Sequence, residues 1–325
     1  MPPPRALPRR TVLRAAGGLG LLAGLGGAAG CGAPFADRRL PIAAGVAQGV
    51  YSRLGTTLSE IWREDLHLST PPEVLTTFGS PDNLARLTAG AAEVAFSQVD
   101  TAAEMIGTVP ADGPRALRGL ARIYDDALHV VIRRDAPYQR LADLRGARVS
   151  IGPQTSGYRV IAQRVLAAAG LDAARDVTPS ELGLQDACDA LRAGTIDAFF
   201  WSGGLPTTGI ATLAQELPVR LLDLGDDLPA VRERHPVYSS GTVPASTYGI
   251  GEAVSTLLTR NILLVPASME DDLAEALVHS LFNEQQRLSE AGPAAVTIDA
   301  RTAIGTQPVP LHPGAERFYR ESKDA

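Results

Sequence analysis

A regular alternation of short apolar runs with stretches of helical period, beginning at Leu40, leaves few architectures open to this chain. Candidate strands fall at residues 41–44, 74–78, 94–98, 119–123, 128–133, 148–152, 196–201 and 219–222. Candidate helices fall at 50–64, 81–89, 157–169, 185–192 and 271–291. Repeated strand-then-helix units of this length predict an α/β fold, with a parallel or mixed sheet covered by helices on both faces. The strand, turn and glycine-bearing helix start at 148–157 echoes the one at 74–83, which predicts two compact units. Boundary candidates are the segment 125–129 and the Gly/Pro/Ser-rich stretch 235–251. If the chain crosses at both places, residues 37–127 and 246–325 form one lobe and residues 128–245 the other. Two crossings make a hinge, and hinged α/β lobes close on a ligand held between them.

Composition is compatible with this and excludes much else. The 325 residues are 45% hydrophobic and 20% charged, enough for one large domain or two lobes, and they hold only two cysteines. A disordered chain, a disulfide scaffold and a polytopic membrane protein are excluded. Net charge is −6, but the first 30 residues carry four Arg and no acid, leaving 26 basic against 36 acidic residues beyond them, a charge of −10. A surface of that sign repels nucleic acid. The only lysine is Lys323, so Schiff-base chemistry, a phosphate-loop lysine and a Ser-Lys dyad have no candidate in the body of the chain.

The N-terminal region reads as an address. Arg9 and Arg10 open the run RRTVLR, which fits the twin-arginine export pattern, and residues 15–29 are apolar but too short and glycine-rich for a spanning helix. The following Ala28-Ala29-Gly30-Cys31 resembles a lipobox, which predicts lipidation of Cys31 after removal of residues 1–30; a soluble form cleaved near Ala29 is the alternative. An acylated Cys31 leaves Cys188 without a disulfide partner. Cys188 clusters with Ala187 and Leu191 around a helical axis, which predicts a small buried thiol.

Ligands of open α/β sheets bind beyond the carboxyl ends of the strands, so the loops there are the candidates for a site. In AAGVAQGVYSRLG, Gly45 and Gly49 allow close backbone approach and Tyr51 offers a ring with a polar tip. In FGSPDNLARL, Ser80 is placed as an N-cap, Pro81 as the first helical residue and Asn83 one turn in. In IGPQTSGYRV, Ser156 and Gly157 open another helix. Each helix start offers free N–H groups and a positive dipole end, suited to a carboxylate; structural capping is the plain alternative for any one loop. Gln98 and Asp100 follow an apolar strand, and Asp100 would suit an ammonium group. Ser202 to Thr207 forms a further polar loop, and Tyr248 is a second candidate wall for the cleft.

The series AAGVAQGVYSRLG, FGSPDNLARL, AFSQVDTA, LHVVIRRD with LADLRGARVSIGPQTSG, ALRAGTIDAFFWSGGLPT, GTVPASTYG and LHPGAERFYRE resembles the TAXI family of TRAP-transporter solute receptors, over residues 40–321. The resemblance implies a two-lobe, class II periplasmic-binding-protein architecture. It also implies capture of a small carboxylate-bearing ligand, an organic acid or a glutamate-like acidic amino acid, and its delivery to TRAP membrane permease subunits. Ser52 stands where the family often has a second aromatic residue, and Thr155 and Tyr158 stand where Gly and Thr are more usual.

Enzyme signatures are sparse. His67, His129, His235, His279 and His312 are scattered, with no HExxH and no His or Cys pair at metal-ligand spacing, so neither a metal nor a cofactor is expected. His129 reads as a structural histidine within a strand, and no GxSxG elbow is present. Asp125-Asp126 and Glu270-Asp271-Asp272 read as solvated charges. The alternatives to a transport receptor are an enzyme on the same two-lobe scaffold and a lipoprotein that senses a ligand for a signalling partner.

Overall fold

The computed structural model describes residues 33–47 and 49–324; the export signal, Arg9, Arg10 and Cys31 lie outside them. The chain runs β1 (Ile42–Gly45), α1 (Val50–Asp65), β2 (Val74–Thr76), α2 (Ser80–Ala89), β3 (Val94–Gln98), α3 (Val99–Ile106) and β4 (Leu117–Arg133). It continues through β5 (Arg148–Ser150), α4 (Gly157–Ala168), β6 (Thr178–Ser180), α5 (Leu184–Ala193), β7 (Ala198–Gly203), α6 (Thr208–Glu216), β8 (Val219–Leu221) and α7 (Leu228–Arg234). It closes with β9 (Ser239–Val243), β10 (Val254–Pro266), α8 (Asp271–Asn283), α9 (Gln285–Ala291), α10 (Ala300–Ala303) and α11 (Pro313–Asp324). The expected α/β class is the one observed.

The helices bury the faces that their periodicity predicts. In α1 the buried side chains include Leu54, Leu58, Ile61 and Trp62, one stripe at helical spacing, and the Trp62 indole donates to the Leu277 carbonyl at 3.2 Å. Burying each such side chain stabilises the fold by about 1.5–3 kcal/mol. In α5, Ala187, Cys188 and Leu191 face inward, and burial pushes the free Cys188 thiol up to about 11, which makes it inert. The expected helix 271–291 is instead two, because the chain turns at Glu284 between α8 and α9.

One mixed sheet holds these elements in the order β2-β1-β3-β10-β4-β7-β5-β6, with β8 on β4 and β9 on β10. Strands β1, β2 and β3 are mutually parallel, as are β5, β6 and β7, whereas β4 and β10 run antiparallel to their neighbours through the middle. Two corrections to the sequence reading follow. Residues 119–123 and 128–133, expected as two strands, form the single strand β4, with the segment 125–129 extended inside it. The central strand β10 was not expected at all.

Buried apolar clusters divide at these two strands. Two clusters draw on residues up to Tyr124 and from Ile262 onward; the other two draw on residues from Ala127 to Leu257. Both changes of side therefore occur within paired strands, in a stretch of β4 around Asp125 and Asp126 and a stretch of β10 around Thr259 and Asn261.

Candidate functional site

At that change of side the sheet carries polar residues instead of apolar ones. Asp126 on β4 lies opposite Thr259 on β10, and Asn261 on β10 lies opposite both Tyr124 on β4 and Gln98 on β3. All of these except Tyr124 are polar side chains, and all five are buried. Gln98 Nε2 donates to Asp126 Oδ2 and to Ser202 Oγ, both at 3.0 Å. Ser80 Oγ accepts the Gln98 backbone N–H at 3.0 Å, which fixes the end of β3 against the start of α2. Tyr51 stacks on Phe96 with ring centroids 5.1 Å apart and donates its hydroxyl to Asn261 Oδ1.

The electrostatics are those of a buried acid. Asp126 is only 4% exposed, and burial pushes its carboxyl up to about 7; Gln98 and Asn261 oppose that shift, while the Asp125 and Asp100 charges add to it. Burial and the Asp126 charge likewise raise the Tyr51 hydroxyl well above its ordinary value. Two acceptors, Asp126 Oδ1 and Gln98 Oε1, and one donor, Asn261 Nδ2, have no hydrogen-bond partner. The Thr259 hydroxyl is unpartnered too, and because buried polar atoms are almost always paired, four orphans in one cluster mark it out.

The second polar segment closes on the first. A Cβ at Gly157 would stand 2.3 Å from Gln98 Oε1 and 3.4 Å from Ser80 Oγ, so the start of α4 touches the β3–α2 junction, and only glycine permits that approach. Ser156 is the N-cap of α4, but its hydroxyl donates back to the Pro153 carbonyl at 2.8 Å and caps nothing. On the other side of the site, a Cβ at Gly204 would meet Val50 at 4.0 Å, beside the Gly49 that caps α1.

The structure thus brings together Tyr51, Ser80, Gln98, Ser156 and Gly157, with Gly49 at the margin. Four expected roles change. Ser80 is the first residue of α2 and not its cap; the cap is Gly79, at a φ of 115° that favours glycine. Asn83 is fully buried and committed elsewhere: its amide donates to the Ala44 and Phe96 carbonyls at 2.7 and 2.8 Å, and its oxygen accepts from Thr77. It clips β1 to β3 and has no N–H left for a ligand. Tyr248 stands apart, its hydroxyl accepting the Thr207 N–H at 2.6 Å and bonding His129 Nε2 at 3.0 Å. Asp100 does not meet a ligand either, since Arg164 Nη1 at 3.1 Å and the Tyr238 hydroxyl at 2.6 Å occupy one of its oxygens and the Thr101 N–H the other.

Asp126 and Asn261 were not expected as site residues, and Ser202 only as the start of a polar loop. Asp126 read as a solvated turn charge because it follows another Asp; the available signal was its place between Tyr124 and the apolar run 127–132. Asn261 similarly interrupts TLLTRNILLV. Among the described residues no group of His, Cys, Asp or Glu could hold a metal ion. Burial pushes His129 down to about 4, so it is neutral near pH 7 and structural.

Residues 42–322 match the NMT1-like family. This chain belongs to the NMT1-like family. The fold of this NMT1-like protein is similar to that of XAC2383 from Xanthomonas citri, solved bound to ATP, at 13% identity over 87% of this chain and 95% of that one, with a TM-score of 0.52. It is also similar to CAE31940 from Bordetella bronchiseptica RB50, at 19% identity over 85% and 83%, with a TM-score of 0.51. The periplasmic aliphatic sulphonate binding protein SsuA from Escherichia coli aligns at 15% identity over 88% of each chain, with a TM-score of 0.46. The NMT1-like chain thus shares a mixed α/β fold with XAC2383 and CAE31940.

Proposed function

We propose that this NMT1-like protein is an extracytoplasmic solute receptor. It captures a small organic acid or an acidic amino acid between two lobes, residues 37–127 with 246–325 and residues 128–245, and delivers it to a TRAP-type membrane permease, as a TAXI receptor would. The observation that carries this reading is the meeting of two polar segments at the change between apolar clusters: Ser80, Gln98 and Asp126 on one side, Ser156, Gly157 and Ser202 on the other. Polar groups gathered between two cores, at strand ends and helix starts, are what a ligand-binding cleft requires. The N–H groups opening α4 suit a carboxylate, and Tyr51 walls the cleft. The RRTVLR run and Cys31 supply the location, with the mature chain lipid-anchored outside the cytoplasm.

A thermal-shift screen of the exported protein against amino acids, dicarboxylates and keto acids tests the reading. A true ligand at a hundredfold excess over Kd stabilises the fold by about 2.7 kcal/mol. If no small acid raises the melting temperature of the folded protein, the ligand class is wrong.

A further inference from the structure

Two orphaned acceptors belong to residues that are hydrogen-bonded to each other at the change of side. Gln98 uses both hydrogen bonds of its Nε2 inside the cluster, so its Oε1 is turned to the face that Gly157 covers, where the neighbouring atom is a glycine carbon and not a donor. Asp126 spends Oδ2 on that same amide, and its Oδ1 is left without a donor, with Asn261 Nδ2 close by but out of hydrogen-bond geometry. Both residues are more than nine-tenths buried. Around them stand further negative or acceptor groups: Asp125 follows Tyr124 on β4, and Asp100 follows Gln98 past the end of β3. Two cations near these acids are already engaged, Arg122 with Asp125 and Arg164 with Asp100 and Glu104.

With Asp126 ionised, an anionic group placed against it would meet like charge in a buried setting, where screening is weak. A cationic N–H donor meets the opposite: two acceptors that lack protons and a carboxylate that lacks a counter-charge. We propose that Asp126 Oδ1 and Gln98 Oε1 form the subsite for a protonated amine of the ligand, so that the captured solute is an amino acid or a related zwitterion and not a dicarboxylate. Asp126 therefore takes the role that the sequence suggested for Asp100, whose carboxylate is occupied. Gln98 holds Asp126 in place through its Nε2 and reads the same amine through its oxygen.

The inference rests on the receptor reading, and paired ligands separate the two. Calorimetry on the exported protein would compare each amino acid with the 2-oxo acid of the same carbon skeleton, and with succinate and malate. The expected result is that the compounds that bind carry an ammonium group and that their oxo acids bind more weakly by about tenfold or more. Asp126→Asn, an isosteric change, should erase that preference by weakening the amino acid and not the oxo acid. An oxo acid or dicarboxylate that binds as tightly as its amino counterpart overturns the subsite but leaves the receptor reading standing. An unchanged preference in Asp126→Asn does the same. Should Asp126→Asn fail to fold, the paired comparison on the unmodified protein still decides. If none of the compounds binds, the proposed ligand class falls and the subsite with it.

Discussion

Gly157 and Asn83 show how little freedom single residues have at this site. A methyl group on Gly157 would stand 2.3 Å from Gln98 Oε1, closer than any real contact, so one of the two must move. Gly157→Ala should cost about 1–3 kcal/mol through overpacking, read as a lower urea midpoint with an unchanged slope. Asn83→Ala removes the donors for two buried carbonyls, Ala44 and Phe96, in adjacent strands. Each carbonyl left unpaired costs about 1–3 kcal/mol, so this variant should be among the most destabilising single changes in the chain. Asn83→Asp should do comparable harm despite its shape, because it removes the same N–H groups and adds a buried charge. Equilibrium unfolding of both variants checks this, and wild-type stability in either would contradict the clip.

At the scale of elements, α3 and α4 are tied by one ionic cluster. Arg164 is 13% exposed; it bonds Asp100, whose side chain is fully buried, together with Glu104 and the Tyr238 hydroxyl. Burial raises the Asp100 carboxyl, and the Tyr238 hydroxyl and the Arg164 charge pull it back. Arg164→Ala leaves Asp100 buried without its counter-charge, which should cost about 3 kcal/mol. The Arg164→Ala, Asp100→Asn double variant should recover part of that loss, because no uncompensated charge remains. A double-mutant cycle by chemical denaturation reads the coupling. Additive losses would mean that the two side chains do not act as a pair.

Over the whole molecule, two buried groups on the same strand pull stability in opposite directions with pH. Asp126 titrates near 7 in the folded chain against about 4 unfolded, so between these values the folded state binds the extra proton and stability falls as pH rises, by about 4 kcal/mol in all. His129 titrates near 4 folded against about 6.5 unfolded, so there the unfolded state binds the extra proton and stability is lost as pH falls, by about 3 kcal/mol. Across the shared window the two contributions nearly cancel. Asp126→Asn should expose the histidine, giving a protein that weakens from about pH 6.5 to 4, and His129→Gln should expose the acid, giving one that strengthens over that range. Parallel pH–stability profiles for all three proteins would refute both assignments.

Much of the fold was legible without coordinates, because helix periodicity and turn chemistry are local. The stripes of α1, α2, α4 and α5, the parallel edge strands and the loops at their ends each announce themselves within about a dozen residues. The polar loops that hold Tyr51, Ser80, Gln98, Ser156 and Gly157 are legible in the same local way, since each sits at a strand end or helix start. What lay outside reach depends on pairing between distant segments. YDDA reads as a turn until β10 lies along both halves of β4 and holds it extended. Asp126 reads as solvated until that same pairing buries it, and Asp100 reads as available until Arg164 and Tyr238, far along the chain, take its oxygens. The amino-acid sequence by itself determined most of the long helices, the parallel strands and the polar loops between them. Only the tertiary structure decided which polar groups are satisfied and which are left waiting for a partner, because hydrogen-bond saturation and burial are properties of the assembled neighbourhood and not of any one segment.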